Sequence, residues 1–190
     1  MLARARREPR ALVIGMDAAA AAMAEGSLRA ARPGRKGGLP NALFVVAAAE
    51  RPPAELAGIA AEVTISFPWG SLLRGALAVE GAADAAAGIA GLVAPGGVVR
   101  MLVSIDPRDR LAVPVLAAAD RAAIAARWVC HGLIVTAFAR ARRDEIEASD
   151  SSWSRRLGAG RERAVWRLEL RRADRPDRRT AVIGGTGGDR

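Results

Sequence analysis

An α/β domain, with a mostly parallel open sheet and helices on both faces, is the fold class this sequence predicts. Three observations carry the prediction. Short apolar runs rich in branched residues recur along the chain, as in strands buried on both faces of a parallel sheet. Alanine-rich stretches of helical length separate them, and that alternation is the mark of a strand–helix–strand architecture. The chain has 190 residues, of which 51% are hydrophobic and 26% charged, enough for one domain with a sizeable core and unlike a fibrous or disordered chain.

The elements follow in order. Strands are expected at Ala11 to Met16, Leu43 to Ala47, Val63 to Phe67 and Val98 to Ile105. Helices are expected at Ala18 to Ala31, Ala54 to Ala60, Ser71 to Val79 and Asp84 to Val93. After the loop DPRDR the pattern gives a helix near Ala117 to Arg127, a strand near Leu133 to Ala139 and a short helix over Arg142 to Ala148. A loop from Ser149 to Gly160 and a last strand, Ala164 to Leu170, complete a domain over residues 1–172. The remainder, residues 173–190, is rich in Gly, Asp and Arg and reads as a flexible basic tail.

No apolar run reaches the roughly 18 to 20 residues that cross a membrane, and MLARARREPR lacks the apolar stretch of a secretory signal. A soluble cytoplasmic protein with no membrane partner is the expectation. Cys130 is the single cysteine and His131 the single histidine, too few ligands for a zinc site, so no metal is expected. His131, beside Cys130 in what reads as a buried turn, is expected to be structural rather than catalytic.

Charge is more informative. The chain carries 29 basic and 20 acidic residues, a net +9, and its isoelectric point near 11.4 points to a polyanionic partner. GC-rich coding also inflates Arg and Ala, which weakens that signal. The distribution matters more: Ser151 to Arg190 holds 11 arginines against 5 acids, a local +6 that leaves +3 for the first 150 residues. A second basic cluster, with Arg35 and Lys36, lies in RAARPGRKGGLPN, a loop because Pro33 and paired glycines break any helix there.

Ligands of open α/β sheets bind beyond the carboxyl ends of the strands, and the informative residues lie there. Asp17 follows the first strand, where a carboxylate accepts hydrogen bonds from ribose hydroxyls or caps the next helix. Glu50 ends AAAE, positioned to meet an adenine edge or simply to be solvated. In Ser66-Phe67-Pro68-Trp69-Gly70-Ser71, Pro68 stiffens the presentation of an indole directly after a strand, and Ser71 is expected to cap the helix that follows. Trp69 either stacks a nucleobase, worth about 1 to 3 kcal/mol per base, or packs into the core. Trp153, in the polar and basic segment DSSWSRRLGAGRER, has the same two readings, and exposed Trp beside Arg is an arrangement that grips single-stranded RNA. Trp128 and Trp166 have the apolar spacing of core residues.

A Gly-rich turn after the first strand, common in nucleotide-binding α/β domains, is missing. The opening LARARREP reads as the last turns of the helix that follows such a turn, so either Met1 is internal to a longer chain or the chain is a remnant. The late glycines IGGTGG follow no strand of the needed kind and precede no helix.

With Asp17, GGLPN, AAAE, FPWGSLLRG and SSWSRR in view, the chain resembles the aminoglycoside-resistance 16S rRNA (adenine-N1)-methyltransferases of the kanamycin-apramycin resistance group, from about Ala11 to Leu170. The resemblance implies a Rossmann-like class I fold, here with its first strand missing, that uses S-adenosylmethionine to methylate N1 of one adenine in the decoding site of the 30S subunit. It further implies that Asp17 holds the cofactor ribose, that Ala48, Ala49 and Glu50 line its adenine, and that Pro68, Ser71 and Ser151 border the methyl-donor end. Trp69 and Trp153 would clamp the target base, while Arg156, Arg161 and Arg163, joined by Arg35 and Lys36, would grip the rRNA. A monomer is expected. The rival expectations are a methyltransferase for a small molecule and a truncated, non-catalytic RNA-binding remnant.

Overall fold

The computed structural model describes residues 1–109, 111, 113–149 and 163–174. Among them are six strands: β1 (Val13–Asp17), β2 (Ala42–Val46), β3 (Ala60–Ser66), β4 (Val93–Val103), β5 (Leu133–Arg140) and β6 (Trp166–Arg172). The α-helices are α1 (Leu2–Arg7), α2 (Ala20–Ala30), α3 (Gly70–Ala76), α4 (Ala83–Leu92), α5 (Arg121–Val129) and α6 (Arg143–Ala148). The alternation read from the apolar runs is thus present, and it forms the α/β architecture expected.

Among the described residues the strands form two ladders. β1 and β2 pair in parallel, and a four-stranded sheet runs β3-β4-β6-β5. Within the latter β3 and β4 are parallel, while β6 is antiparallel to both neighbours. An apolar run carries no information about strand direction, so this reversal was not legible in the sequence.

Burial on both faces is not what β4 and β6 show. Val99, Met101 and Val103 are buried while Arg100 between them is exposed, and Leu168 and Leu170 flank a half-buried Glu169. Successive side chains of a strand point to opposite faces, so one face builds the core and the other carries a polar row. On the core face Trp128 and Ile124 of α5 meet Leu133, Leu168, Leu170, Met101 and the α3–α4 pair. On the other face Arg100 donates to Glu62 at 2.6 Å and to Glu169 at 3.0 Å. Arg4 of α1 completes the row by donating to the same Glu62 at 2.5 Å.

Three further boundaries depart from the sequence reading. Residues 54–60 are not a helix: Ala54–Leu56 is one 3-10 turn after Pro53, and Gly58 at φ 66° turns the chain into β3. β4 begins earlier than expected, with an irregularity between the Ala60 and Glu62 pairings that passes through Gly96 and Gly97. The Cys130–His131 turn is not buried. Cys130 is exposed, and His131 sits edge-on to Trp128 with centroids 5.8 Å apart. Trp128 and Trp166 are core residues, as their spacing suggested. The basic tail lies outside the described residues from position 175 onward.

Candidate active site at the carboxyl edge of the sheet

Asp17 is the last residue of β1 and pairs across the ladder with Val46 of β2. Its carboxylate Oδ1 accepts from the Ala19 backbone N–H at 2.8 Å. That is a local turn rather than a helix cap, because α2 starts at Ala20 with Ala19 as its N-cap residue. The side chain is exposed at the strand end. The Asp17 carbonyl in turn accepts from Ala47 N–H at 3.1 Å, which fixes the segment carrying Ala48, Ala49 and Glu50 beside it.

That segment is pressed onto α4. A Cβ on Gly88 would stand 1.8 Å from the Ala49 carbonyl oxygen, so only a glycine lets the loop after β2 lie this close. Glu50 then lines one cleft together with Ser71 and Arg74 of α3 and Asp84 and Ala85 of α4. The carboxyl ends of β2 and β3 therefore open onto the same edge, and Asp17 adjoins it through the β1–β2 ladder. Of these lining residues Arg74 and Asp84 were not anticipated from the sequence, and no local motif marks them.

Trp69 occupies the N-cap position of α3 and is 45% exposed. Its presentation comes from two buried predecessors. Pro68 is buried, and Phe67, 6% exposed, holds φ at 53°, a left-handed conformation that is a genuine outlier for a bulky residue. The Phe67 N–H donates to the Leu102 carbonyl at 2.7 Å and its ring packs with Ile146 and Val165. Such strain persists only where the surroundings over-determine it, and here it turns the chain so that the indole leaves the core. Ser71 does not cap α3, contrary to expectation. It is exposed within the first turn and lines the cleft.

The same Phe67 defines where a second segment departs. Ile146 of α6 and Val165 before β6 both pack on it, and Ala141 N–H bonds the Val165 carbonyl at 2.9 Å. The elements on either side of residues 150–162 therefore both pack on Phe67, two positions before Trp69 in the sequence. Ser151, Trp153, Arg156 and Arg161 belong to that stretch and lie outside the described residues.

Arg163 is not positioned to grip a phosphate. Its side chain is only 8% exposed and is bonded to Asp109, itself 9% exposed. Asp109 Oδ2 also accepts the Asp106 backbone N–H, while the hydrogen bond that Arg108 donates holds the Asp106 carboxyl well below the usual carboxylate range. Buried Ser104 donates to the Ala164 carbonyl at 2.9 Å. The loop after β4 is thus knitted to the start of β6. Asp109 and Ser104 escaped the sequence reading because their partners are more than 50 residues away. Arg35 and Lys36 are exposed on a 3-10 turn, Gly34–Lys36.

The edge thus offers a carboxylate for paired hydroxyls at Asp17, small apolar walls at Ala48 and Ala49, polar groups at Glu50 and Ser71, and an indole at the rim. This donor set suits a nucleoside bearing a polar arm.

Over most of its length the chain is similar to known proteins. The family model NpmA, 16S rRNA (adenine(1408)-N(1))-methyltransferase, matches residues 1–171. A 16S rRNA (adenine(1408)-N(1))-methyltransferase of Streptoalloteichus hindustanus is 32% identical over 166 residues, covering 84% of this chain and 75% of that protein. The enzyme of the same name from Streptoalloteichus tenebrarius is 34% identical over 168 residues with the same coverage. Among solved structures, a variant of the corresponding methyltransferase from Catenulisporales acidiphilia with cosubstrate SAM superposes with a TM-score of 0.80 at 31% identity, covering 93% of this chain and 81% of that one. The 16S rRNA methyltransferase KamB superposes with a TM-score of 0.80 at 30% identity, covering 90% and 81%.

Proposed function

Because the chain belongs to the family of 16S rRNA (adenine(1408)-N(1))-methyltransferases, we propose that its carboxyl-edge cleft holds S-adenosylmethionine for methylation of N1 of an adenine in the 16S rRNA decoding site, giving aminoglycoside resistance. The observation that carries this reading is the common edge of Asp17, Glu50, Ser71 and exposed Trp69.

The residues fit the cofactor. Asp17 has a carboxylate at a strand end, the usual partner of ribose hydroxyls. Ala48, Ala49 and Glu50 lie against it to border the adenine, and Pro68, Ser71 and Ser151 border the methionine arm. S-adenosylmethionine supplies an electrophilic methyl group on a sulfonium.

Adenine N1 carries a free lone pair at neutral pH, so no side chain has to remove a proton. The chain's contribution is alignment, which supplies up to about 7 to 11 kcal/mol of barrier reduction in the best cases. N1 lies on the Watson–Crick edge, so the base must leave its stack at a cost of a few kcal/mol. Trp69 stacks one face of the extruded base and Trp153 the other, offsetting that cost. Arg35, Lys36, Arg156 and Arg161 bind phosphates without reading sequence, and ribosome shape selects the adenine. Arg163 supports the site from inside through Asp109. The reaction needs no metal, and the chain acts as a monomer on the 30S subunit in the cytoplasm, away from membranes.

Primer extension on 30S subunits incubated with the chain and S-adenosylmethionine tests the reading. A stop at the decoding-site adenine is expected. Its absence, with intact subunits and folded protein, overturns it.

A further inference from the structure

Strand direction decides which side chains share the edge with Trp69. β4 and β5 are both antiparallel to β6, and β4 is parallel to β3. β5 therefore ends at the same edge as β3, and its last residue is Arg140. The register joins the two strand ends in one row: Phe67 N–H bonds the Leu102 carbonyl, Val103 pairs with Trp166, and Trp166 pairs with Arg140. Three strand spacings, about 15 Å, separate Arg140 from the strand that presents the Trp69 indole.

The arginines next to Arg140 are neutralised by carboxylates. Arg142 meets Asp144 at 3.2 Å, Arg143 meets Glu147 at 2.8 Å, and Arg167 meets Glu145 at 3.4 Å. Arg140 is exposed, and among the described residues it has neither a carboxylate partner nor a side-chain hydrogen bond. Its contact is aromatic: the guanidinium carbon stands 5.5 Å from the centroid of the Trp166 ring. That ring is only 7% exposed and stacks on Phe138, with centroids 4.7 Å apart, so it offers no free face to a nucleobase. A guanidinium resting on an indole is held in place by its flat side, while the N–H donors along its rim stay available. Such a group gives up less freedom when it binds an anion, and its fork matches two phosphate oxygens.

We propose that Arg140, held on Trp166, binds a backbone phosphate of the 16S rRNA beside the extruded adenine. The proposal rests on the rRNA methyltransferase reading and extends its interface to the end of β5. At about three strand spacings from the Trp69 strand, the phosphate belongs to a neighbouring nucleotide. Arg140 then governs the grip on the subunit and not the fit of the cofactor.

Binding to 30S subunits, measured from 50 to 200 mM salt, tests the assignment. Arg140→Gln should weaken binding about three- to tenfold and make the log–log slope shallower by about 0.7 to 0.9, the equivalent of one phosphate. Arg140→Lys keeps the charge and should keep the slope. Arg143→Gln removes a charge already balanced by Glu147 and should alter the slope far less. Thermal denaturation and the S-adenosylmethionine Kd should match the parent in all three. An unchanged slope in Arg140→Gln overturns the proposal and leaves Arg140 as a cover for Trp166. So does an equal change in Arg143→Gln, the sign of a diffuse field rather than a contact. Primer extension separates this inference from the reading beneath it. A parent that binds with the expected slope difference and gives no stop supports the phosphate contact and overturns methylation. A parent that gives the stop, with no slope difference in Arg140→Gln, does the reverse. Failure of the parent to bind 30S subunits overturns both.

Discussion

The Arg163 guanidinium is buried on Asp109, tying the loop after β4 to the residue that leads into β6. Removing one partner of a buried ion pair leaves an uncompensated charge, typically at a cost of about 3 to 5 kcal/mol. Asp109→Ala should therefore lower the melting temperature by about 10 °C for a chain of this size. A double replacement by apolar residues of similar volume should restore much of the loss. Thermal denaturation of the two variants checks both statements, and equal losses would show that the pair is not the cause.

Trp69→Ala should leave S-adenosylmethionine affinity and thermal stability near those of the parent, because the indole is half-exposed at the rim. Methylation of 30S subunits should fall by about 10- to 100-fold, the value of one stacked base. Trp69→Phe should retain part of the rate. Single-turnover kinetics at saturating cofactor is the deciding measurement.

Asp17→Asn keeps an acceptor for the Ala19 N–H yet loses the charge, so the turn should survive while cofactor binding weakens. Charge-assisted hydrogen bonds are worth about 1.5 to 3 kcal/mol, which sets the expected loss at roughly 10- to 100-fold in Kd by calorimetry. Binding to 30S subunits should not change.

Glu62 provides a pH test. Burial raises its pKa, but the hydrogen bond and charge of Arg4, aided by Arg100, outweigh this and hold it below the ordinary glutamate value. A depressed folded pKa means the stabilisation is complete above the unfolded pKa, about 4.3, and is lost as pH falls through the folded value. Glu62→Gln should thus be less stable than the parent at pH 7, by about 1 to 2 kcal/mol for this partly exposed group. The gap should close below pH 4. Denaturant titrations at pH 7 and pH 3.5 would reveal it, and a gap independent of pH would refute the assignment.

Reversing charge at Arg35 and Lys36 should weaken 30S binding and reduce its salt dependence. For every phosphate that is no longer neutralised, the log–log slope should become shallower by about 0.7 to 0.9. Binding measured from 50 to 200 mM salt checks this, and an unchanged slope would remove these two residues from the interface.

Much of this was legible in the sequence because it depends on local order. The alternation of LFVVA or VTISF with alanine-rich stretches fixes strands and helices, and Asp17, Glu50 and Trp69 could be singled out because each lies at or just beyond the carboxyl end of an apolar run. What was not legible depends on distant partners. Arg163 looks like a phosphate ligand until Asp109, 54 positions earlier, is folded against it. The polar row across β4 and β6 was in principle readable: VVRMLV and WRLELRR alternate, and that pattern forbids burial on both faces. The direction of β6 and the left-handed Phe67 had no signal at all, since neither composition nor spacing encodes them.

Phe67 sets the terms on which this corner can vary. Glycine there would relax the backbone, yet it would delete the ring on which Ile146 and Val165 rest. Comfort of the main chain and aim of the indole are therefore opposed at a single position, so tolerated replacements should be large and apolar despite the torsional penalty. A library at position 67 selected only for thermal resistance and one selected only for drug survival should diverge there.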